Sequence, residues 1–390
     1  MKTVDVAIAG AGLIGVAAAL ELRTRGLTVT VLDRQEPGRE ASFAAAGMLA
    51  PSPDDLSSLP LVPLGKSSIA LYPEFVAHIE QASGKTTGFA QKGTLELFFG
   101  ADGESERDRF MAERKRIGIA VEPLSVLQAR EMEPSLTSQV FAAAWLYQEA
   151  IVNPRLLIDA AISAAKAGGV GVLANCTVTG LVREANRCTG VLTSDGPISA
   201  GCVVIAAGCF SVGIGAEIAP YAPTIPVRGQ MLALRAPAGT TSIVALRHVI
   251  RSANGYLVPH DDGRIVAGST LENGVQEKIV TSAGMGKIQG AAIEMVPALK
   301  SAEIVETWAG LRPGTPDGLP ILGPTDIQGL VIATGHYRNG ILLAPITAKL
   351  VVPWALGLTI DRDLAAFSPM RFVDRRSFLP EEPPSRQAAG

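Results

Sequence analysis

The stretch that decides the fold runs from residue 4 to residue 33, VDVAIAGAGLIGVAAALELRTRGLTVTVLD. Its opening, residues 4–9, is an apolar run broken only by Asp5, and fits a strand buried in a parallel sheet. Residues 14–25 carry a helical stripe, with Ile14, Ala17, Ala18 and Leu22 on one face. Gly26 stops that helix, as a residue just past a C-cap does. Residues 28–33 read as a second strand. Strand, helix and strand within roughly 30 residues predict a right-handed βαβ unit.

Inside that unit Gly10, Gly12 and Gly15 hold the G-x-G-x-x-G spacing, with Leu13 and Ile14 between the last two. Gly10 permits the tight turn out of the strand. Gly12 removes a side chain that would hold off a pyrophosphate, and Gly15 lets the helix lie close to the sheet. The helix N-terminus offers free N–H groups and a partial positive charge to phosphate. Alone, the hexapeptide could be a structural turn. Here it follows a strand, opens a helix and precedes Asp33, an acid placed to accept hydrogen bonds from ribose hydroxyls. That context predicts a bound dinucleotide. An acid at 33 disfavours a 2′-phosphate and so NADP, while NAD and FAD both remain.

Next comes EASFAAAGMLAP, residues 40–51, with neither a helical stripe nor a strand alternation. Such a segment could pack tightly on a helix. Equally, its bare backbone could approach a wide rigid ring, with N–H groups reaching a pyrophosphate or the ring's polar edge.

The rest of the chain sets limits. Its 390 residues carry a net charge of −3 and are 47% apolar, so a large core can form and no basic face is available for nucleic acid. Cys176, Cys188, Cys202 and Cys209 form no CxxC pair, and His78, His248, His260 and His336 show no metal spacing with one another. No metal site is expected, and the cysteines read as free thiols in a reducing compartment. The start is a β–turn–α unit, not a signal peptide. Pro345, Lys349 and Pro353 interrupt the most apolar late stretch, so no membrane span is expected and a cytoplasmic location follows.

Helices are predicted over 67–82, 104–118, 154–167, 282–295 and 340–356. Buried parallel strands are predicted at CVVIAAG (202–208) and GLVIATG (329–335). KGTLELFF (92–99) and the short β-like segments of 222–275 read as antiparallel strands. The expected fold is α/β: a Rossmann-like cofactor domain interleaved with an α+β substrate domain built on an antiparallel sheet. The first takes 1–85, 140–220 and 319–365, and the second takes 86–139 and 221–318. Residues 376–390 read as a disordered tail.

GAGLIG, LDR, ASFAAAGMLAP, WAGLRPGTPDGLPILG (308–323) and GHYRNGILLAPITAKLV (335–351) together resemble the D-amino-acid-oxidase-type flavoprotein family. Within it they are most similar to the glycine oxidases of thiamine biosynthesis. The resemblance spans residues 5–350. It implies non-covalent FAD, a two-domain fold, a homotetramer, and oxidation of a small amino acid or amine with molecular oxygen. It brings Arg34, Ser42, Ala45, Ala46, Gly47 and Met48 to the cofactor. CVVIAAGCFS would bring Ala207 and Gly208 to the adenine half, with Val178 packed on the adenine.

Amine oxidation needs an anchor for the substrate carboxylate, and the planar fork of an arginine matches it. Arg312 corresponds to the family's anchor, and its alternative is an inter-domain ion pair. Tyr256 corresponds to a second carboxylate contact, or else is core. Arg338 would border the pocket or carry a surface charge. Met48 would wall the pocket or fill core. Asn339, Gly340, Ile341 and Leu342 form the helix end that points at the flavin pyrimidine edge in this family. Its positive pole would stabilise negative charge on the reduced ring. His336 would stand just behind. Asn254 and Leu271 depart from the family pattern at two positions expected to line the pocket. No cysteine accompanies IATGHYRNG, so a covalent link there is not expected. The expected reaction is oxidative deamination giving an oxo acid, ammonia and hydrogen peroxide. The alternatives are a D-amino-acid dehydrogenase, a sarcosine-type secondary-amine oxidase, or a flavin-binding scaffold without turnover. An NAD dehydrogenase is disfavoured by the long C-terminal motifs.

Overall fold

A computed structural model describes residues 2–52, 59–236 and 246–373. The tail expected over 376–390 lies outside the described residues. The first strand, Lys2–Ala9, stands at the centre of an eight-stranded sheet. It pairs in parallel with Val29–Leu32 on one side and with Ile198–Ile205 on the other. Gly171–Leu173 extends the first side in parallel, and Leu330–Thr334 the second. Taken in chain order, these five parallel strands stand 3-2-1-4-5, the doubly wound order. Ile321–Pro324 closes one edge antiparallel, and a hairpin of Val178–Glu184 with Arg187–Thr193 leans on Ile198–Ile205.

The first helix is Leu13–Thr24, capped at Arg25. Gly26 lies just beyond it at φ +80°, where a side chain would be strained. It packs on the closing helix Gly340–Ala355 and on Pro154–Ala167. Leu61–Ser83 completes this layer and starts six residues before the predicted 67. The predicted helix begins only after PLVPLG, which carries two prolines. Pro63, however, falls in the first turn, where an N–H needs no partner, so it does not stop the helix.

The closing helix has Pro345 in its interior, which leaves the Ile341 carbonyl without its usual donor four residues on. The Tyr72 hydroxyl, fully buried, supplies that donor at 2.7 Å. Ser68 Oγ donates to the Leu342 carbonyl at 2.6 Å and accepts from the Ile346 N–H at 3.3 Å. The long helix therefore repairs the break from outside, one turn from the tip of the closing helix. Among the described residues no helix is long and apolar enough to cross a membrane.

The second sheet has nine strands and is largely antiparallel. Its spine is the long pair Ile225–Arg235 and Glu303–Gly314, flanked by Arg264–Gly268, Gly255–Pro259 and Val249–Ser252. Thr94–Phe99 joins Val249–Ser252 in parallel and Val140–Leu146 antiparallel. Val140–Leu146, expected with the cofactor segments, thus stands in the second sheet. Its run VFAAAWL is as apolar as a Rossmann strand, and only its partner reveals its place. Helix Ser282–Met295 packs behind this sheet, with Ile288, Ala292 and Met295 in its core.

Candidate functional site

The site lies between the sheets, at the C-terminal ends of the parallel strands where their order reverses. Lys2–Ala9 ends in Gly10 and Ile198–Ile205 ends in Ala206, and the two turns nearly touch. Gly10 is at φ +109°, and a Cβ there would come within 2.4 Å of the Ala206 carbonyl oxygen. A Cβ on Gly15 would lie 2.0 Å from the Gly10 carbonyl oxygen, so the helix must approach this closely on bare backbone. Gly12 is the N-cap of Leu13–Thr24. The Leu13 N–H is taken by Ser42 Oγ at 2.9 Å, which ties residue 42 to the helix tip. Asp33 is half-buried. Its Oδ2 accepts from the Ala11 N–H at 2.9 Å and its Oδ1 from the Gln35 N–H at 3.1 Å. Burial raises its pKa above the ordinary carboxylate value, against the lowering by those N–H groups.

Residues 40–51 form one helical turn, Ala41–Ala44, then extended chain and the short strand Met48–Leu49, which pairs with Ala150–Ile151. Gly47 is obligatory: at φ +94°, a Cβ would sit 1.9 Å from the Val152 carbonyl oxygen. The stretch both packs tightly and borders the cavity. A Cβ on Gly310 would lie 2.4 Å from Ala44 Cβ, so the turn does pack tightly, here against the second sheet. Glu40, Ala41, Ser42 and the residues from Ala44 to Met48 line the cavity.

Glu303–Gly314 faces this turn with every second residue, as a strand must. The Trp308 indole N–H donates to the Ala44 carbonyl at 3.0 Å, Gly310 abuts Ala44, and Arg312 enters the cavity. The Arg312 guanidinium lies over Gly229, where a Cβ would sit 2.2 Å from Nη1. It donates to Ser269 Oγ at 2.7 Å and to the Thr270 carbonyl at 3.2 Å, both neutral acceptors. Among the described residues no carboxylate is paired with it, so the inter-domain ion pair considered from the sequence is not formed. Such a pair does exist nearby, between Arg155 and Glu306 at 2.7 and 2.8 Å. The Tyr256 ring lies over Gly268, where a Cβ would meet its hydroxyl at 2.5 Å. Its only near partner among the described residues is Met231 Sδ, at 3.9 Å.

One cavity of about 640 Å³ connects these parts. Lining it are Gly10, Gly12, Leu13, Ile14, Asp33, Arg34, Ser42, Ala45, Ala46, Gly47 and Met48, then Val178, Ala207 and Gly208, then Tyr256, Arg312, Arg338, Gly340 and Ile341. Gly15, Asn339 and Leu342 stand behind the lining. Gly15 sets helix approach, Asn339 caps the closing helix, and the Leu342 carbonyl is held by Ser68. Arg338 is exposed at the rim. Asn254 and Leu271 are outside the lining. Asn254 Nδ2 donates to Glu294 at 2.9 Å, and Leu271 is exposed. Met231, Ser269 and His336 line the cavity without having been singled out as contacts from the sequence. Met231 carries no motif signal, since a methionine in an apolar strand looks like core. His336 is buried and bonded to Thr347 Oγ1 at 3.0 Å, and burial pulls its pKa down to about 3, so the ring is neutral. The four cysteines are free and buried, and burial raises the Cys202 and Cys209 thiols to about 12.

A doubly wound sheet, a glycine cradle at its switch point and an elongated cavity running to an arginine define a dinucleotide-dependent oxidoreductase. The chain belongs to the DAO family of FAD-dependent oxidoreductases, which matches residues 5–354. It is 35% identical over 378 residues to a glycine oxidase of Geobacillus kaustophilus, covering 95% of this chain and 98% of that one. The crystal structure of glycine oxidase from Geobacillus kaustophilus superposes with a TM-score of 0.88 at 33% identity, over 95% and 99% of the two chains. A bifunctional ThiO/ThiG protein of Synechocystis is 38% identical over 374 residues, 95% of this chain and 54% of its own length. The chain thus spans about half the length of these bifunctional relatives. The residues present fit FAD: bare backbone at Gly10 and Gly12 beside a helix tip, small residues at 44–47, and a second helix tip at Gly340.

Proposed function

We propose that the protein oxidises a small amino acid, glycine being the simplest, at the expense of oxygen. The observation that carries this reading is the Arg312 guanidinium, held by neutral acceptors in the same cavity as the FAD cradle. A guanidinium has five N–H donors, so those not engaged by Ser269 and Thr270 can take a carboxylate. Tyr256 supports it with a hydroxyl that has, among the described residues, only Met231 Sδ at 3.9 Å as a partner.

In this reading Gly10–Ile14 would hold the FAD pyrophosphate, Asp33 and Arg34 its ribose, and Val178 with Ala207–Gly208 its adenine. Residues 44–48 and the tip of the closing helix, Arg338–Leu342, would hold its ring. The segments of the first sheet form the cofactor domain, and 86–139 with 221–318 form most of the substrate domain. When bound, the flavin supplies the two-electron acceptor for the substrate Cα–H, and oxygen reoxidises it. The chain's own contribution is positioning and proton control. Arg312 fixes the carboxylate and thereby the Cα. The same cation, with the apolar wall of Met48, Met231 and Tyr256, disfavours an ammonium and favours the neutral amine. The helix pole at Gly340 favours negative charge beside it. The imine released hydrolyses to an oxo acid and ammonia, and the oxygen consumed appears as hydrogen peroxide.

The resemblance to the glycine oxidases of thiamine biosynthesis supports a place in that pathway and a homotetramer, for which gel filtration at four times the chain mass is expected. The decisive experiment uses the purified yellow protein. Anaerobic glycine should bleach its visible absorption, and aerobic glycine should yield peroxide and ammonia in equal amounts. A colourless protein that refuses added FAD, or one bleached by no amino acid, overturns the reading.

A further inference from the structure

Arg312 is aimed by a turn that follows a strand two places away in the sheet, across Ile225–Arg235. The two oxygens that hold its guanidinium belong to consecutive residues, Ser269 and Thr270, just after Arg264–Gly268. With Gly229 backbone beneath and these oxygens alongside, the remaining N–H groups are directed by elimination toward the cavity.

That turn is itself clamped by Glu272. Glu272 Oε1 accepts from Thr270 Oγ1 at 2.7 Å and from Gln230 Nε2 at 2.8 Å. Its Oε2 accepts from Arg228 Nε at 3.2 Å and from Arg228 Nη2. Thr270 Oγ1 also accepts from the Gln230 N–H at 2.9 Å, so the hydroxyl is fixed in both roles. The Gln230 side-chain oxygen accepts from the Thr281 N–H at 2.7 Å, which anchors the assembly to the start of Ser282–Met295. Gln230 and Thr270 are buried. Glu272 is not among the residues lining the cavity. The Arg228 pairing above all, then Gln230 and Thr270, hold its carboxyl pKa down to about 2, so it is ionised at any working pH.

We propose that Glu272 is a positioning residue for carboxylate recognition: acting through Thr270, it fixes the turn whose two oxygens orient the Arg312 guanidinium. The inference rests on reading Arg312 as the substrate's carboxylate anchor. Arg228 has a definite part in it. By pairing with Glu272 it holds that carboxylate in place against the Thr270 hydroxyl.

The test uses the full chain loaded with FAD and four variants: Glu272→Gln, Thr270→Val, Thr270→Ser and Arg312→Leu. Two quantities are read, KM against kcat for glycine, and the Kd of acetate from its perturbation of the flavin spectrum. Glu272→Gln should raise both KM and the acetate Kd about tenfold, the factor a lost charge-assisted hydrogen bond supports. kcat and the FAD Kd should change by less than about twofold. The KM ratio of variant to parent should be flat from pH 6 to 9, because the group does not titrate there. Thr270→Val should reproduce the effect, and Thr270→Ser should recover most of it. Should Glu272→Gln not fold, the Thr270 pair carries the same test. Unchanged acetate binding in Glu272→Gln alongside weakened binding in Arg312→Leu overturns this inference alone. So does a loss of FAD affinity that accounts for the whole effect. Unchanged acetate binding in Arg312→Leu overturns the anchor reading instead.

Discussion

The two ends of the cavity are built from different materials. At the Gly10 end the surface is main chain: a strand end, a helix tip and a turn, brought together by Gly10 and Gly15, where a Cβ would collide with backbone. At the Arg312 end the surface is side chain: a guanidinium, a phenol and two thioethers standing on antiparallel strands. Glycines matter there too, but as seats. Gly229 lies under Arg312 and Gly268 under Tyr256. The first design binds by backbone geometry and is intolerant of any added atom. The second binds by chemistry, and its failures should be graded and specific to substrate.

The sharpest way to break this contrast is Gly10→Ala. The methyl group would need a left-handed φ and would collide with the Ala206 carbonyl. About 3 kcal/mol or more of strain and overpacking is expected. The protein should emerge colourless, unable to bind FAD, with a melting temperature several degrees lower. A stable yellow Gly10→Ala protein would show that the main-chain end tolerates more than argued. Arg312→Leu should do the opposite. Stability and colour stay, while kcat/KM for glycine falls about 10³-fold, or about 4 kcal/mol, measured by peroxide production. Gly229→Ala tests the seat without touching the anchor. Its methyl displaces the guanidinium, and a loss of about 2 kcal/mol in kcat/KM with intact FAD binding is expected.

The same contrast explains what could be read in the sequence. Gly10, Gly12, Gly15 and Asp33 were legible because a backbone site must be written locally, within one strand–helix–strand unit. Gly26 and the closing helix were legible for the same reason. Gly229 and Gly268 were not, because a seat is an absent side chain on one strand matched to a large one on another, and nothing local signals it. Met231 and Ser269 fall in the same class. Asn254 and Leu271, expected on the pocket wall by analogy, sit outside the lining because Asn254 is drawn to Glu294 and Leu271 is left in solvent. Val140–Leu146 was grouped with the wrong sheet because an apolar run names its burial and not its partner. The resemblance led to Arg312 and Tyr256; the geometry adds what holds them.

A smaller effect probes the helix tip that the two ends share. Tyr72→Phe removes the donor that satisfies the Ile341 carbonyl beside Pro345. It should cost about 1–2 kcal/mol in denaturant unfolding, the penalty of a buried orphaned acceptor. Little change in the KM for glycine is expected, since the side-chain end is untouched. A large KM effect with no loss of stability would mean that Tyr72 serves the substrate end after all.

The smallest expected effect concerns protons. Two buried histidines pack against segments that line the cavity, and neither offers a charge. His336 stands behind the closing-helix tip with its pKa lowered by burial to about 3. His260 is held against the Ala46 backbone, with burial lowering its pKa to about 4. Each is neutral in the folded protein and ordinary, near 6.5, in the unfolded chain. The unfolded state therefore binds more protons below pH 6.5, and stability falls as pH drops through that value. At pH 6 each histidine should cost about 0.8 kcal/mol, and the slope should steepen towards about 1.4 kcal/mol per pH unit per histidine on further acidification. Glu272 is linked to pH with the same sign but in a lower window: its folded pKa is about 2 against 4.5, so its contribution is present above 4.5 and is lost only below that. The two effects separate by pH: between pH 7.5 and 6 the change in unfolding free energy should reflect the histidines and not Glu272. His336→Gln should flatten that slope by about half while leaving FAD bound, because the cradle's positive potential comes from helix tips and main-chain N–H groups. If FAD affinity instead fell with the histidine, the main-chain end would owe part of its binding to a side chain, and the contrast between the two ends would not hold there.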